Sequence, residues 1–441
     1  MLRPHRRPFA SRLLLAALTA LSACGLPSRA ALISEDHGEL EPLPGFEHVR
    51  AVDGYPSPSL QESFDQAVAS FARAPVPEDG RRDFPMLVLS SGGVNGAFGA
   101  GVLTGWTKRG DRPPFWFVTG VSVGALLAPF VFAGPEFDDR MEELFRRIEP
   151  GDLHREKGML GSVLWDESLM DNSPLRKSIE RGVDHELLRA VAARHAEGRR
   201  CLVGSTNLDL GEFIVWDMGA IATRGDDAAL KLFRQVLTAS ASIPVVYPPV
   251  RFKHGERDEL HADGAVIRPL FIPQNVFDGY ASAERAGMSW DDVDATMYVV
   301  HNGSLRPRAA KVPRDTLAIA TRTVVMMSYT MVAEHVLHLY MLSRAWGADF
   351  RFVTLPDGLE LPVNDFTPND TERLFLLGQG LMEQDTAWAS APPGYVLHED
   401  LGRISPALSE ATASDLDELR AQLSKIEELL SSVRAQLGAS R

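Results

Sequence analysis

A serine between two glycines, Gly120-Val121-Ser122-Val123-Gly124, is the first place where this sequence could do covalent chemistry. Residues 115–119 before it read as a strand, and the residues that follow, through 132, read as a helix. Strand, tight turn and helix around Gly-x-Ser-x-Gly is the setting of a nucleophile elbow. Such a turn lifts the serine above the sheet edge. The amino terminus of the next helix then favours negative charge beside it. Ser122 is the candidate nucleophile of a serine esterase acting on acyl esters.

An esterase also needs an oxyanion site and a base. The loop Ser91-Gly92-Gly93-Val94-Asn95-Gly96 follows a strand at 86–89 and opens a helix at 97–109. Backbone N–H groups at Gly92, Gly93 and Val94 could converge on a developing negative charge. Glycine loops at helix starts also bind phosphate. Here the P-loop ending in Lys-Ser/Thr is missing, and Gly96, Gly99 and Gly101 give no clean dinucleotide pattern. Asn95 reads as a turn former tolerant of left-handed geometry. For the base, His261-Ala262-Asp263-Gly264-Ala265 offers an imidazole and a carboxylate. His261 precedes Asp263, the reverse of the acid-then-histidine order of α/β hydrolases. It is expected to be an exposed or loop histidine.

Taken together, four ordered segments resemble the patatin-like phospholipase family. They are the glycine loop from Ser90 to Gly101 and the elbow Gly120–Gly124. The block Ala239-Ser240-Ala241-Ser242-Ile243-Pro244 with Pro248-Pro249 follows, then Asp263-Gly264-Ala265. The resemblance covers about residues 84–265. It implies a three-layer α/β/α fold with a mainly parallel central sheet. It also implies a Ser122–Asp263 dyad without histidine and an oxyanion hole around Gly92, Gly93 and Val94. Gly96, Gly120, Gly124 and Gly264 fall on its motif positions. The activity implied is lipid acyl hydrolysis, of phospholipase A, lysophospholipase or esterase type, through an acyl-enzyme and with no metal or organic cofactor. An acyltransferase using the same acyl-enzyme, or a non-catalytic envelope lipoprotein, are the alternatives. The chain departs from the family at Ser91, where a glycine is usual, and at Asn95, where Arg or Lys is usual.

The elements that must position these residues follow an α/β grammar. After the elbow, strands are expected at 201–207, 212–216 and 297–300, with helices at 230–240 and 321–346. The last of these carries Met326 and Met327. Packing in the core is favoured for it over lining an acyl groove. Phe98, Trp106 and Trp116 are also expected in the core. An amphipathic helix is expected at 60–73, with Phe64, Val68 and Phe71 on one face.

The ends of the chain read differently. Arg3, Arg6, Arg7 and Arg12 precede a short apolar run that ends in Leu21-Ser22-Ala23-Cys24. A basic start and a short apolar core make a secretory signal. The ending resembles a lipobox, with Cys24 acylated and anchored to membrane. Residues 1–23 are then a lipoprotein signal, and 24–82 a tether and irregular lead-in. The catalytic domain is expected at 83–405, and an outer-membrane address is favoured over an inner one. At the other end Leu416, Leu419, Leu423, Ile426, Leu430, Val433 and Leu437 alternate three and four apart. Residues 414–437 are thus an amphipathic or heptad helix open to self-association. With 45 basic and 59 acidic residues the net charge is -14. That balance excludes a general nucleic-acid binder. Two cysteines, Cys24 and Cys201, give no disulfide framework. The expected partners are membrane lipids or acyl esters.

Overall fold

The computed structural model describes residue 31 and residues 40–393, apart from 78–79, 154, 157–167, 169, 274–278, 363–364 and 385–386. The signal, Cys24 and the heptads at 414–437 lie outside the described residues.

A nine-stranded mixed sheet forms the centre. Its strands are β1 (Arg50–Val52), β2 (Arg82–Leu89), β3 (Phe117–Val121), β4 (Arg200–Asn207), β5 (Glu212–Asp217), β6 (Val250–His254), β7 (Arg257–Asp263), β8 (Val293–His301) and β9 (Asp349–Thr354). The main order is β1-β5-β4-β3-β2-β8-β9. The five strands β4, β3, β2, β8 and β9 run parallel to one another, and β5 is antiparallel to β4. A β6–β7 hairpin adds antiparallel to β4. All of β3 and β4 is buried, as is β2 from Phe84 onward. Burial along the whole strand is what a parallel strand covered on both faces shows. The fold is the expected three-layer α/β/α arrangement.

One layer begins with α1 (Pro58–Ala72). Its Phe64 and Phe71 pack on Phe117, Phe84 and Trp116 of the sheet side. The other layer holds α2 (Gly96–Arg109), which crosses a late helix, Pro368–Met382. A side chain at Gly101 would meet the carbonyl of Phe375, and one at Gly378 would meet that of Phe98. Gly101, which failed to make a dinucleotide pattern, thus serves the close approach of two helix backbones. Three further helices bear on the site: α3 (Val123–Ala133), α4 (Asp227–Ser240) and α5 (Thr316–Ala345).

Several expectations need correction. The third strand begins at Phe117, not at 115. Residues 50–52, read as part of a tether, pair with β5 and close one edge of the sheet. Three residues carry no periodicity of their own, so only the partner strand defines them. Trp106 and Phe98 are in the core, while Trp116 is half-buried. Met326 and Met327 are exposed, at 52% and 62%. They lie on α5, whose first half has no described neighbour that buries it.

Candidate active site

Strand register sets the site. Leu89 is level with Gly120, Val121 with Gly204, and Asp263 with Ser205. The glycine loop, the elbow and Asp263 therefore emerge at one end of neighbouring strands. Loops at the carboxyl ends of parallel strands are where an open α/β sheet holds ligands.

At the elbow Ser122 takes φ 56° and ψ -124°. Besides Ser122, only Val245 among the described non-glycine residues has positive φ. Holding a serine there costs about 1–3 kcal/mol and needs outside restraint. The glycines give room for it. A side chain at Gly120 would strike the Gly124 carbonyl, and one at Gly124 would strike the carbonyls of Leu89 and Ser90. The Ser122 N–H donates to Ser240 Oγ at 3.0 Å, and that hydroxyl donates to the Gly204 carbonyl at 2.6 Å. Helix α3 starts directly after Ser122. Its first N–H groups have no acceptor inside the helix.

The glycine loop turns through a single 3-10 turn, Gly93–Asn95. Gly93 takes the left-handed φ of 55°, while Asn95 is right-handed at -69°. Asn95 is therefore no left-handed turn former. It is buried, donates to the Gly92 carbonyl and accepts from the Leu361 N–H at 2.8 Å. The base of the loop is fixed from the end of β8. Asn302 donates its backbone N–H to Ser90 Oγ and its side-chain amide to the Ser90 carbonyl. A side chain at Gly92 would overlap the Asn302 backbone, and one at Gly96 would overlap Val123. The loop thus sits against the elbow, and the first N–H groups of its turn have no partner within the turn.

Asp263 ends β7, and Gly264 lets the chain close over β4. A side chain at Gly264 would stand 2.6 Å from the Gly204 carbonyl and 2.9 Å from Val121. The Asp263 N–H donates to the Ser242 carbonyl at 2.8 Å. Helix α4 therefore ends in a segment that holds both residues, Ser122 through Ser240 and Asp263 through Ser242. The Asp263 carboxylate accepts the Ala265 N–H on Oδ1, and its buried Oδ2 has no partner of hydrogen-bond geometry. Burial pushes the carboxyl up to about 7, against the opposing pull of the Ser122 hydroxyl and the Ala265 N–H. The Ser122 hydroxyl is near enough to pull on the carboxylate, though no hydrogen bond of good geometry reaches Oδ2.

His261 is neither exposed nor on a loop. It is fully buried on β7. Trp216 donates to Ser205 Oγ at 2.8 Å, and that oxygen lies 2.9 Å from His261 Nδ1. With the hydroxyl accepting from Trp216 and donating onward, the ring proton falls on Nε2, which faces Glu259 at 3.1 Å. Glu259 also meets Arg50 at 2.7 Å and His254 at 2.9 Å. Burial pushes the glutamate up, but the bonds from His261 and Arg50 outweigh it and hold the carboxyl near 2. Burial also lowers the His261 pKa, so the ring is neutral. The ring's two nitrogens are thus committed to Ser205 and Glu259.

A known family model, that of the patatin-like phospholipases, matches residues 87–275. Residues 87–275 are thus similar to a patatin-like phospholipase domain. No curated protein matches this chain. Among solved structures, the crystal structure of VipD from Legionella pneumophila is similar at 11% identity. That match covers 94% of this chain and 83% of that one, with a TM-score of 0.35. The family-model match supports lipid acyl hydrolase activity in the broad sense. Its matched span contains Ser122, Asp263, the glycine loop and the segment 239–249.

The residues singled out from the sequence, Gly92, Gly93, Val94, Gly96, Gly120, Ser122, Gly124, Asp263 and Gly264, all lie at this sheet end. Sequence reasoning missed the supports. Ser240 stood in the segment quoted for its resemblance, but no spacing rule tells that its hydroxyl holds Ser122. Ser90 and Asn302 gave no signal of the bonds between them. Among the described residues no cluster of His, Cys, Asp and Glu could hold a metal ion.

Proposed function

We propose that this protein hydrolyses fatty-acyl esters of phospholipid or lysophospholipid type through a Ser122–Asp263 dyad. One observation carries the reading. A wholly buried carboxyl, raised to about 7 and with no donor aligned on its Oδ2, lies beside a serine held at positive φ. A base poised near neutral pH is what general-base catalysis favours.

In this scheme Ser122 Oγ attacks the acyl carbon, and its proton passes to Asp263 Oδ2. The carbonyl oxygen becomes an oxyanion facing the N–H groups of Gly92, Gly93 and Val94, at the positive end of a helix start. Collapse of that intermediate breaks the ester bond. Asp263 returns the proton to the leaving alcohol, and the acyl group stays on Ser122. Water then gives a proton to Asp263 and attacks the acyl-enzyme, which releases the fatty acid and restores the hydroxyl. Fixed geometry supplies what a weak base lacks, because both partners hang from one segment. Asn95 stands where the family carries a cation, and its amide is spent on Gly92 and Leu361. Recognition of a phosphate must come from elsewhere. Export and acylation at Cys24 belong to the same proposal, since they would bring the enzyme to its lipid.

Mass-spectrometric analysis of lipid products tests it. The intact chain should release free fatty acid, and Ser122→Ala should release none while remaining folded. A fluorophosphonate probe should label the former and not the latter. Fatty-acid release by folded Ser122→Ala would end the proposal.

A further inference from the structure

Helix α5 is 30 residues long and does not pack as its composition demands. Val336, Leu339 and Tyr340 of its second half are buried. In its first half, none of the described side chains from Thr316 to Glu334 is buried. Ile319, Val324, Val325, Met326 and Met327 are all exposed there. These residues lie around more than one face of the helix, and exposed apolar side chains gathered in this way mark an interaction surface. No helix among the described residues is long and apolar enough to cross a membrane.

Its place in the fold is fixed by hydrogen bonds. Tyr329 donates to Glu360, which accepts the Ser304 N–H at 2.6 Å on its other oxygen. The next residue, Leu361, donates its N–H to Asn95 of the glycine loop. The exposed half of α5 is therefore tied to the loop beside Ser122. Two more exposed apolar residues stand next to Asp263 in sequence or support, Val266 at 41% and Val245 at 68%. Val245 holds φ 71°, a conformation a β-branched residue rarely adopts.

Charge decides the occupant. The stretch leading into α5 carries Arg306, Arg308, Lys311 and Arg314, all exposed, and Arg322 follows inside the helix. From Arg306 to Arg322 the one acid is Asp315, spent on capping the helix at Ala318. In a chain of net charge -14 this is a local inversion of sign. Cations adjoining an exposed apolar helix match an anionic lipid surface, with the helix lying in the interface and the cations at headgroup level.

We propose that the first half of α5, with the basic stretch before it, docks the protein on an anionic bilayer and brings lipid to the Ser122 end of the sheet. The inference rests on the lipid-hydrolase reading, but binding and turnover are measured separately. Full-length chain carrying Cys24→Ser and Ser122→Ala, so that neither an anchor nor hydrolysis intervenes, is sedimented with two kinds of vesicle. One kind is phosphatidylcholine mixed with phosphatidylglycerol, the other phosphatidylcholine alone.

The parent chain should pellet with the mixed vesicles and far less with the neutral ones. Arg308→Gln with Lys311→Gln should weaken binding on the order of thirtyfold. Met326→Asp with Met327→Asp should weaken it at least about tenfold. In the Ser122-intact chain, neither pair should alter turnover of a soluble short-chain ester, which also shows that the variants fold. Absence of binding by the folded parent overturns the inference, as does equal binding to both vesicles. A methionine pair that binds like the parent but turns a dimer into a monomer overturns it too, and makes this face an interface between copies. Binding that appears only after residues 394–441 are removed overturns docking by the intact chain and makes that segment the occupant. Failure of the Ser122-intact chain on the soluble ester would remove the hydrolase reading and leave vesicle binding standing.

Discussion

Replacing Asp263 by Asn should abolish ester hydrolysis and, at neutral and alkaline pH, make the protein more stable. The folded carboxyl titrates near 7, raised from an ordinary 3.8 because it is wholly buried. Below both values the acid is neutral in either state, and wild type and variant differ only through local packing. Between them the unfolded chain gives up a proton that the native chain keeps, so wild-type stability falls as pH rises. Above 7 the cost is complete and amounts to roughly 4 kcal/mol. The amide of the variant does not titrate, and its carbonyl oxygen can still accept the Ala265 N–H. The stability gap should therefore open from about pH 4 and level off above about pH 7. The buried histidines have depressed pKa values and destabilise both proteins alike at low pH, so they cancel in the difference. Glu259, held near 2, stays charged across the window. Denaturant unfolding of both proteins at a series of pH values measures the gap. Wild-type kcat/KM should rise through a limb near 7 as Asp263 loses its proton. A gap that does not change with pH would refute the desolvated-carboxyl reasoning, and a limb that survives in a partly active Asp263→Asn would refute its role as base.

Two further outcomes follow from the supports. Ser240→Ala strands the buried Ser122 N–H and the Gly204 carbonyl, and should cost about 3 kcal/mol in denaturant unfolding. It should also lower kcat more than it raises KM, because the serine loses the restraint on its φ. Glu259→Gln leaves Arg50 buried without its counter-ion and should cost about 3–5 kcal/mol. Turnover per folded molecule and its pH limb should persist, since His261 acts in structure; a lost limb would make His261 part of the proton relay.

The elbow and the glycine loop were legible because sterics writes them into small residues. Gly120 and Gly124 have backbone where a side chain would be, and no other residue type fits there. Asp263 was legible only through resemblance, since an aspartate before a glycine is common in turns. What was not legible depended on partners far away in sequence. His261 looked like a loop residue because its partner Ser205 lies across a strand and its counter-charge Glu259 is balanced by Arg50. The stretch 50–52 looked like tether because three residues join the sheet only through β5. Met326 and Met327 looked like core because apolar density signals a need for burial, not the partner that provides it. The structure supplies no such partner within the described residues.

The proposed dyad without histidine makes a demand that the fold answers in two places. A histidine base can be steered by a separate carboxylate, but a carboxylate base must itself be held and dried. Drying Asp263 raises its pKa and costs native stability, and Ser122 adds the cost of its φ. Both costs fall on the end of β7 and the start of α3. Further back along the same strands, Arg50, Glu259, His254, His261 and Asn207 form a buried network with every strand from β4 to β7 and with β1. Glu259 and His261 are on β7 itself, shortly before Asp263. The network therefore pins the strand that carries the proposed base and fixes its register against β4. A slip of one residue would turn Asp263 away from Ser122. If Asp263 is the base, as proposed, the charged interior of this domain is register control for a base that has no second carboxylate to orient it.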